Sequence, residues 1–242
     1  VTTESGGLNR MDRTTEKFTH YRHNPDDSTS ISSDRTFSTL EARNGDLWVT
    51  TLNNGISRMK ATEDGIFKNY KHVHEDLNTI SAHTTFAIFE DEAGMIWVTT
   101  SNGISRVNPK TDEITRFLSD SLSSEGYGDK ANVLGVYKSP IEKEIIWLAT
   151  GNGLLRFNIS DGSNERFLLS PDTGQQTNPL NFLHDVSPDP ADPNILWVAG
   201  PGAGVARFDY RTGEFTTYRK DESDPNSLIE NDVSSLFTDR SG

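Results

Sequence analysis

Cysteine is absent from the 242-residue sequence, so neither a disulfide framework nor a thiolate metal or redox site can form. Long apolar runs are missing too. Nothing approaches the ~20 consecutive apolar residues that a membrane-spanning helix needs, so no membrane contact is expected of this segment. Basic charge is in deficit: 23 Lys and Arg against 36 Asp and Glu leave a formal net charge of -13. Such a surface repels phosphate backbones and anionic headgroups, which removes nucleic acid and membrane surfaces as expected partners. No Gly-x-Ser-x-Gly elbow, phosphate-cradling glycine loop or His-Glu-x-x-His pair occurs, and no segment sustains a helical period. No catalytic residue, metal or cofactor is therefore expected. The opening Val1-Thr2-Thr3-Glu4 carries neither an initiator Met nor a signal peptide, and reads as the interior of something longer.

What the sequence does contain is self-similarity. An apolar-Trp-apolar triplet recurs as Leu47-Trp48-Val49, Ile96-Trp97-Val98, Ile146-Trp147-Leu148 and Leu196-Trp197-Val198, which uses every tryptophan in the chain. The steps are 49, 50 and 50 residues. After each triplet a glycine is followed by an arginine: Gly55 and Arg58, Gly103 and Arg106, Gly153 and Arg156, Gly204 and Arg207. A fifth copy, Gly7 and Arg10, stands near the start without its Trp. Most units end in a short aromatic segment such as Phe67-Lys68-Asn69-Tyr70, and an apolar segment such as Phe86-Ala87-Ile88-Phe89 precedes each Trp. Turn-forming Asn-Gly and Thr-Gly pairs separate the segments. Four short β-rich segments in a unit of ~50 residues predict an all-β fold, a β-propeller of four-stranded antiparallel blades with five repeats over residues 1–242. The segment before each Trp is apolar at successive positions, so it must be covered on both faces, as inner blade strands are. The tryptophans, Trp48, Trp97, Trp147 and Trp197, are expected to wedge between blades, each with a partner for its indole N–H.

The two ends are offset by one strand. Val1-Thr2-Thr3 matches Val49-Thr50-Thr51, and Leu236-Phe237-Thr238-Asp239 matches the run from Phe89. The five repeats are thus either an arc of a larger ring or a closed five-bladed ring, in which residues 232–238 supply the missing strand of the blade begun by residues 1–21.

These residues resemble the two-component regulator propeller repeat. The resemblance rests on Asp91-Glu92-Ala93-Gly94-Met95-Ile96-Trp97-Val98, on Gly204-Val205-Ala206-Arg207-Phe208-Asp209 with Thr212-Gly213-Glu214-Phe215, and on the linker Asp224-Pro225-Asn226-Ser227-Leu228 through Val233. It covers essentially the whole chain. It implies the sensor region of a bacterial hybrid histidine kinase or a related secreted protein, placed in the periplasm or outside the cell. A carbohydrate-derived or other small ligand is implied, and a kinase would lie outside this segment. The present sequence departs in having five repeats, no membrane span and no kinase region.

Several constellations compete for a functional reading. The repeat arginines Arg10, Arg58, Arg106, Arg156 and Arg207 lie on the third segment, away from any axis. They are expected to be structural, stems between blades and guanidinium groups on carboxylates or carbonyls. His72-Val73-His74 and the acidic runs 189–194 and 221–224 read as polar loops and turns rather than metal sites. The remaining candidates sit where the long loops 22–36, 71–85, 118–132, 168–181 and 219–232 reach the inner strands: Arg35, His83, Asn132, Asn231 and Asp232. The leading expectation is an extracytoplasmic ligand-sensing or protein-binding propeller. A structural, adhesive or self-associating repeat protein is the alternative, and a propeller lyase the least favoured.

Overall fold

A computed structural model describes residues 1–119, 132–170 and 178–238. The chain divides into two compact units, Val1–Gly126 and Tyr127–Gly242. The first holds a two-stranded hairpin, β1 (Leu8–Met11) with β2 (Phe18–Tyr21), and two four-stranded sheets. One sheet is the meander β3 (Thr36–Glu41), β4 (Leu47–Thr51), β5 (Ile56–Met59), β6 (Phe67–Tyr70). The other is β7 (Thr85–Glu90), β8 (Ile96–Thr100), β9 (Gly103–Val107), β10 (Ile114–Phe117). The second unit holds β11 (Val133–Lys138), β12 (Ile145–Thr150), β13 (Gly153–Asn158), β14 (Asn164–Phe167) and then β15 (Asp185–Pro188), β16 (Ile195–Gly200), β17 (Gly204–Asp209), β18 (Glu214–Tyr218). Every pairing among the described residues is antiparallel between chain neighbours, so each four-stranded sheet is a propeller blade whose strands follow chain order. The only helical turn among the described residues is a 3-10 turn, Pro179–Asn181.

The blades stack through their central strands. Each Trp triplet is the second strand, and all five residues of β8 are buried. In the first unit Trp48, Ile56 and Tyr70 of one blade join Ile88, Ile96 and Val98 of the next in a single core. In the second unit Ile145, Trp147 and Leu154 join Val186, Leu196, Val198 and Phe208. Trp48 stacks on Tyr70 with ring centroids 5.5 Å apart, and Trp97 lies between Phe89 and Phe117. Such ring pairs add about 0.5–1.5 kcal/mol each beyond area burial.

The tight turn between second and third strands fixes where one blade meets the next. Gly55 has φ +76°, and a Cβ there would collide with the Tyr70 carbonyl. The Gly55 carbonyl accepts from Thr51 Oγ1 (2.8 Å) in its own blade and from Thr85 Oγ1 (3.0 Å) at the start of the next. The same clasp joins Thr3 Oγ1 and Thr36 Oγ1 to the Gly7 carbonyl at 2.9 Å each. A bulge after the first residue of β3 and of β7 bends each inner strand, and the hydroxyls of Thr50 and Thr99 accept the freed amides of Ser38 and Ala87.

Two expectations needed revision. The outer strand β14, Asn-Glu-Arg-Phe, completes its four-stranded sheet as the repeat predicts, although it has one aromatic and no β-branched residue. Residues 232–238 form no strand; Leu236 N donates to Asp185 Oδ2 (2.8 Å), and Thr238 meets Ser187 Oγ (3.0 Å), beside β15. The indoles of Trp97 and Trp197 donate to Asp91 and Asp189, but Trp48 Nε1 has no partner. Ala42 occupies the place, six residues ahead of the Trp, that Asp91 fills in the next repeat.

Candidate functional site

The long loops are not excursions into solvent. Loops 22–35 and 71–84 are laid across the strand ends of the blades they lead into. Loop 22–35 starts at the outer strand β6, where Phe67 N donates to Thr29 O (2.7 Å) and Asn69 Nδ2 to Ser30 O (2.9 Å). It crosses β5, where Ser32 N donates to Ser57 Oγ (3.0 Å), and Ser57 Oγ in turn donates to Asn69 Oδ1 (2.7 Å). Loop 71–84 repeats the path one blade on. Arg116 of β10 plugs it from below, with Nε on Thr79 O (2.6 Å) and Nη2 on Val73 O (3.0 Å), Asp76 O (2.6 Å) and Thr79 Oγ1 (2.6 Å). Ser81 then meets Ser105 Oγ (2.9 Å) and Thr100 Oγ1 (2.9 Å). Ile31 and Ile80 anchor the two loops at 0% exposure.

These fixtures bring the loops to the inner strands at set positions. Arg35 O accepts from Leu52 N (2.9 Å), and His83 O accepts from Gly55 N (2.8 Å), so both backbones are pinned to second-to-third-strand turns. The Arg35 and His83 side chains are exposed at the heads of β3 and β7, two inner strands that pack side by side with Phe37 and Phe86 edge to face at 5.8 Å. In the second unit Asn132 O accepts from Gly151 N (2.7 Å) and Asn231 O from Gly204 N (2.9 Å). There the side chains of Asn231 and Asp232 are spent locally, whereas Asn132 Oδ1 is buried without a partner. Asn231 Oδ1 accepts from Lys220 N (2.8 Å) and Asp232 Oδ1 from Gly202 N (2.7 Å). Asn132 is half-buried at the edge of the described residues. Of the five candidates, Arg35 and His83 alone combine exposure with side chains outside this local bonding.

Around His83 the first unit gathers further donors. The His72 ring lies edge to face with His83 at 5.0 Å and with His74 at 6.3 Å. His72 Nδ1 faces Ile80 O at 2.7 Å; a carbonyl only accepts, so the neutral ring carries its proton on Nδ1. His23 repeats this bond to Ile31 O at 2.9 Å. Burial first, then the charge of Arg116 and the neighbouring His83 and His74, depress the His72 pKa against the pull of the Ile80 carbonyl. Burial likewise lowers Arg116, and lowers His184 in the second unit. The result is a patch of imidazoles backed by the Arg116 guanidinium, able to donate and accept hydrogen bonds. Among the described residues no three His, Asp or Glu side chains converge as metal ligands.

The other sequence candidates lie elsewhere. Arg58 is buried, its Nε and Nη2 on Asp46 at 2.8 and 2.6 Å, its Nη1 on Pro109 O and its guanidinium over Trp48. Arg10 pairs with Asp64, Arg156 with Glu142, and Arg106 lies over Trp97. Arg207 sits opposite Trp197 in the ladder. Asp189, Asp192, Asp221 and Asp224 cap turns by accepting amides two or three residues ahead. Sequence reasoning missed Asn69 and Arg116, the two loop plugs. Both are the polar third residue of a four-residue outer strand that begins and ends on an apolar or aromatic residue.

No protein-family model matches the sequence, and neither does any curated protein. Solved structures do match in fold. The extracellular domain of the putative hybrid two-component system BT3049 from B. thetaiotaomicron superposes with TM-score 0.73 at 21% identity, over 98% of this chain and 29% of that one. That of BT4673 from the same organism gives 0.67 at 23%, with the same coverage. A streptogramin B lyase gives 0.56 at 18%, over 92% of this chain and 64% of that one. The chain spans about 29% of the length of the two sensor domains. The fold is that of a β-propeller, as in those domains.

Proposed function

We propose that the chain is part of an extracytoplasmic sensing propeller, in the periplasm or outside the cell, that binds a small polar ligand on the loop face of its blades. The observation that carries this reading is the arrangement at the heads of β3 and β7. Two exposed donors, Arg35 and His83, stand on backbone pinned to the same turn at Leu52 and Gly55, and the His72 ring lies against His83. A preformed face of this kind binds without having to order its own loops. Hydrogen-bonding donors next to an exposed aromatic, Phe37, suit a carbohydrate-derived ligand. The likeness to extracellular domains of two-component systems agrees with this reading and favours a non-catalytic role over the lyase alternative. The proposal extends to the repeat arginines and tryptophans as blade-to-blade fasteners, and to the five repeats as an arc of a larger ring.

Thermal-shift screening of the chain against neutral and acidic oligosaccharides tests the reading. A ligand at 100 times its Kd raises stability by about 2.7 kcal/mol, readily seen as a shift in Tm. The expected outcome is a shift that disappears in the Arg35→Ala, His83→Ala double variant. A panel without any shift, or a shift that the double variant retains, refutes this site.

A further inference from the structure

Loops 22–35 and 71–84 are built alike. Tyr21 and Tyr70 end the strands before them, and Ile31 and Ile80 are the fully buried anchors that follow. In each, a histidine near the start closes the loop on itself, His23 Nδ1 on Ile31 O at 2.9 Å and His72 Nδ1 on Ile80 O at 2.7 Å. A hydroxyl braces each tip. Ser30 Oγ accepts from Asn24 N (2.9 Å) and donates to Asp27 O (2.8 Å); Thr79 Oγ1 accepts from Val73 N (2.9 Å) and donates to Asp76 O (2.8 Å).

The two loops differ in the charges set around that histidine. At loop 22–35 the plug is a neutral amide, Asn69, and a carboxylate stands where the chain returns. Asp34 Oδ1 accepts from His23 N (2.8 Å), and Arg22 pairs with the other oxygen of the same carboxylate (2.8 Å). At loop 71–84 the plug is the Arg116 guanidinium, 5% exposed, and His83 occupies the position of Asp34. Nη2 of Arg116 lies 3.4 Å from His72 Nδ1. The hydrogen bonds of this guanidinium to the loop run to the carbonyls of Val73, Asp76 and Thr79 and to the Thr79 hydroxyl, while the Asp76 carboxylate acts on it through space. Facing His72 are therefore a fixed cation from β10, the imidazole of His83 at the head of β7 and that of His74 within the loop.

A proton on His72 sets a second positive charge against a buried first one, where little water screens the pair. Opening the loop returns the ring to water and to its ordinary value of 6.5. The closed loop holds the ring below that value, so opening takes up a proton and gains up to about tenfold per unit as pH falls below 6.5. We propose that loop 71–84 is an acid-released clasp, which lets go of Arg116 as His72 takes up a proton while its twin, loop 22–35, stays shut. Release frees the segment that carries His83 to the head of β7, so it regulates the ligand site inferred above. Only that consequence for binding rests on the ligand reading; the opening itself needs no ligand.

Hydrogen exchange on the unliganded chain tests the clasp, so its failure and that of the ligand site are told apart. Exchange is compared at about pH 7.5 and 5.5 after correction for intrinsic rates, and amides of residues 73–80 are expected to open about threefold or more at the lower pH. Those of residues 24–31, and those of β8 and β9, should hold. Arg116→Gln keeps a donor at the plug without its charge and should lose most of the pH response. His72→Gln, whose amide can still donate to the Ile80 carbonyl, should lose it altogether. No rise in residues 73–80, an equal rise in loop 22–35, a rise shared by β8 and β9, or one that survives either substitution overturns the proposal.

Discussion

At the scale of single residues, the arginine at the repeat position shows how far context decides the role of a side chain. Arg58 and Asp46 are 10% and 7% exposed, and their pair is completed by the Pro109 carbonyl and the Ala61 amide. Burial pushes the Asp46 carboxyl up, but Arg58 and Ala61 outweigh it and hold its pKa below the usual carboxylate range. Its contribution to stability is therefore present above the ordinary value of 3.8 and lost as pH falls further. Asp46→Ala strands the guanidinium and should cost about 3–5 kcal/mol in urea unfolding. The exposed pair of Arg10 and Asp64 should cost less than about 1 kcal/mol when broken. Ala42→Asp should supply the carboxylate that Trp48 Nε1 lacks and raise stability by about 1 kcal/mol, measured the same way. His72 has a depressed pKa, so its share of stability is present above 6.5 and is lost as pH falls below it. His72→Gln should flatten the stability profile as pH falls below about 6.5, as followed by urea unfolding across pH.

At the scale of elements, the turns and loops carry the fold's information. Gly55→Ala meets both a left-handed backbone and the Tyr70 carbonyl, and should destabilise by more than about 2 kcal/mol. Gly202→Ala has open space around it and only the φ of +74° to accommodate, so about 1 kcal/mol is expected in the same equilibrium melts. Strands with a Trp triplet or an aromatic pair were legible in the sequence because periodic apolar residues mean burial on both faces. The strand β14 followed from the repeat alone, because its residues pair by register with β13 rather than by apolar pattern. The segment 233–237 looked like an inner strand from composition. It forms no strand here, since a strand is defined by a partner's backbone and not by its own side chains. The loop plugs were illegible for a related reason: Arg116 and Asn69 serve backbone carbonyls about 40 residues earlier in the chain. Arg116→Ala should speed amide exchange in loop 71–84 while leaving β8 and β9 protected, a contrast that hydrogen exchange resolves.

At the scale of the whole molecule, the charge of -13 and the repeat architecture set the terms. Self-repulsion of that size opposes compaction, and it is screened within a Debye length of ~10 Å at about 0.1 M salt. Raising NaCl from about 10 to 150 mM should therefore raise Tm by a few degrees, where a neutral osmolyte of matched concentration should not. The propeller itself was plain from the repeat before any coordinates. The site was only half so, because its position followed from the repeat while the availability of each side chain depended on hydrogen bonds no pattern reveals. Asn231 and Asp232 look as eligible as Arg35 in the sequence, yet their oxygens already serve Lys220 and Gly202.

The way loops 22–35 and 71–84 are footed on the following blades has a bearing on how such a protein can be re-engineered. The unit that travels intact is not a blade from its innermost to its outermost strand. It is the stretch 22–70, a loop together with the sheet that supports it, with seams after Tyr21 and Tyr70. Chimeras joined at those seams should keep the shape of the transplanted surface, whereas a loop moved alone would arrive without the serine and asparagine that give it its form.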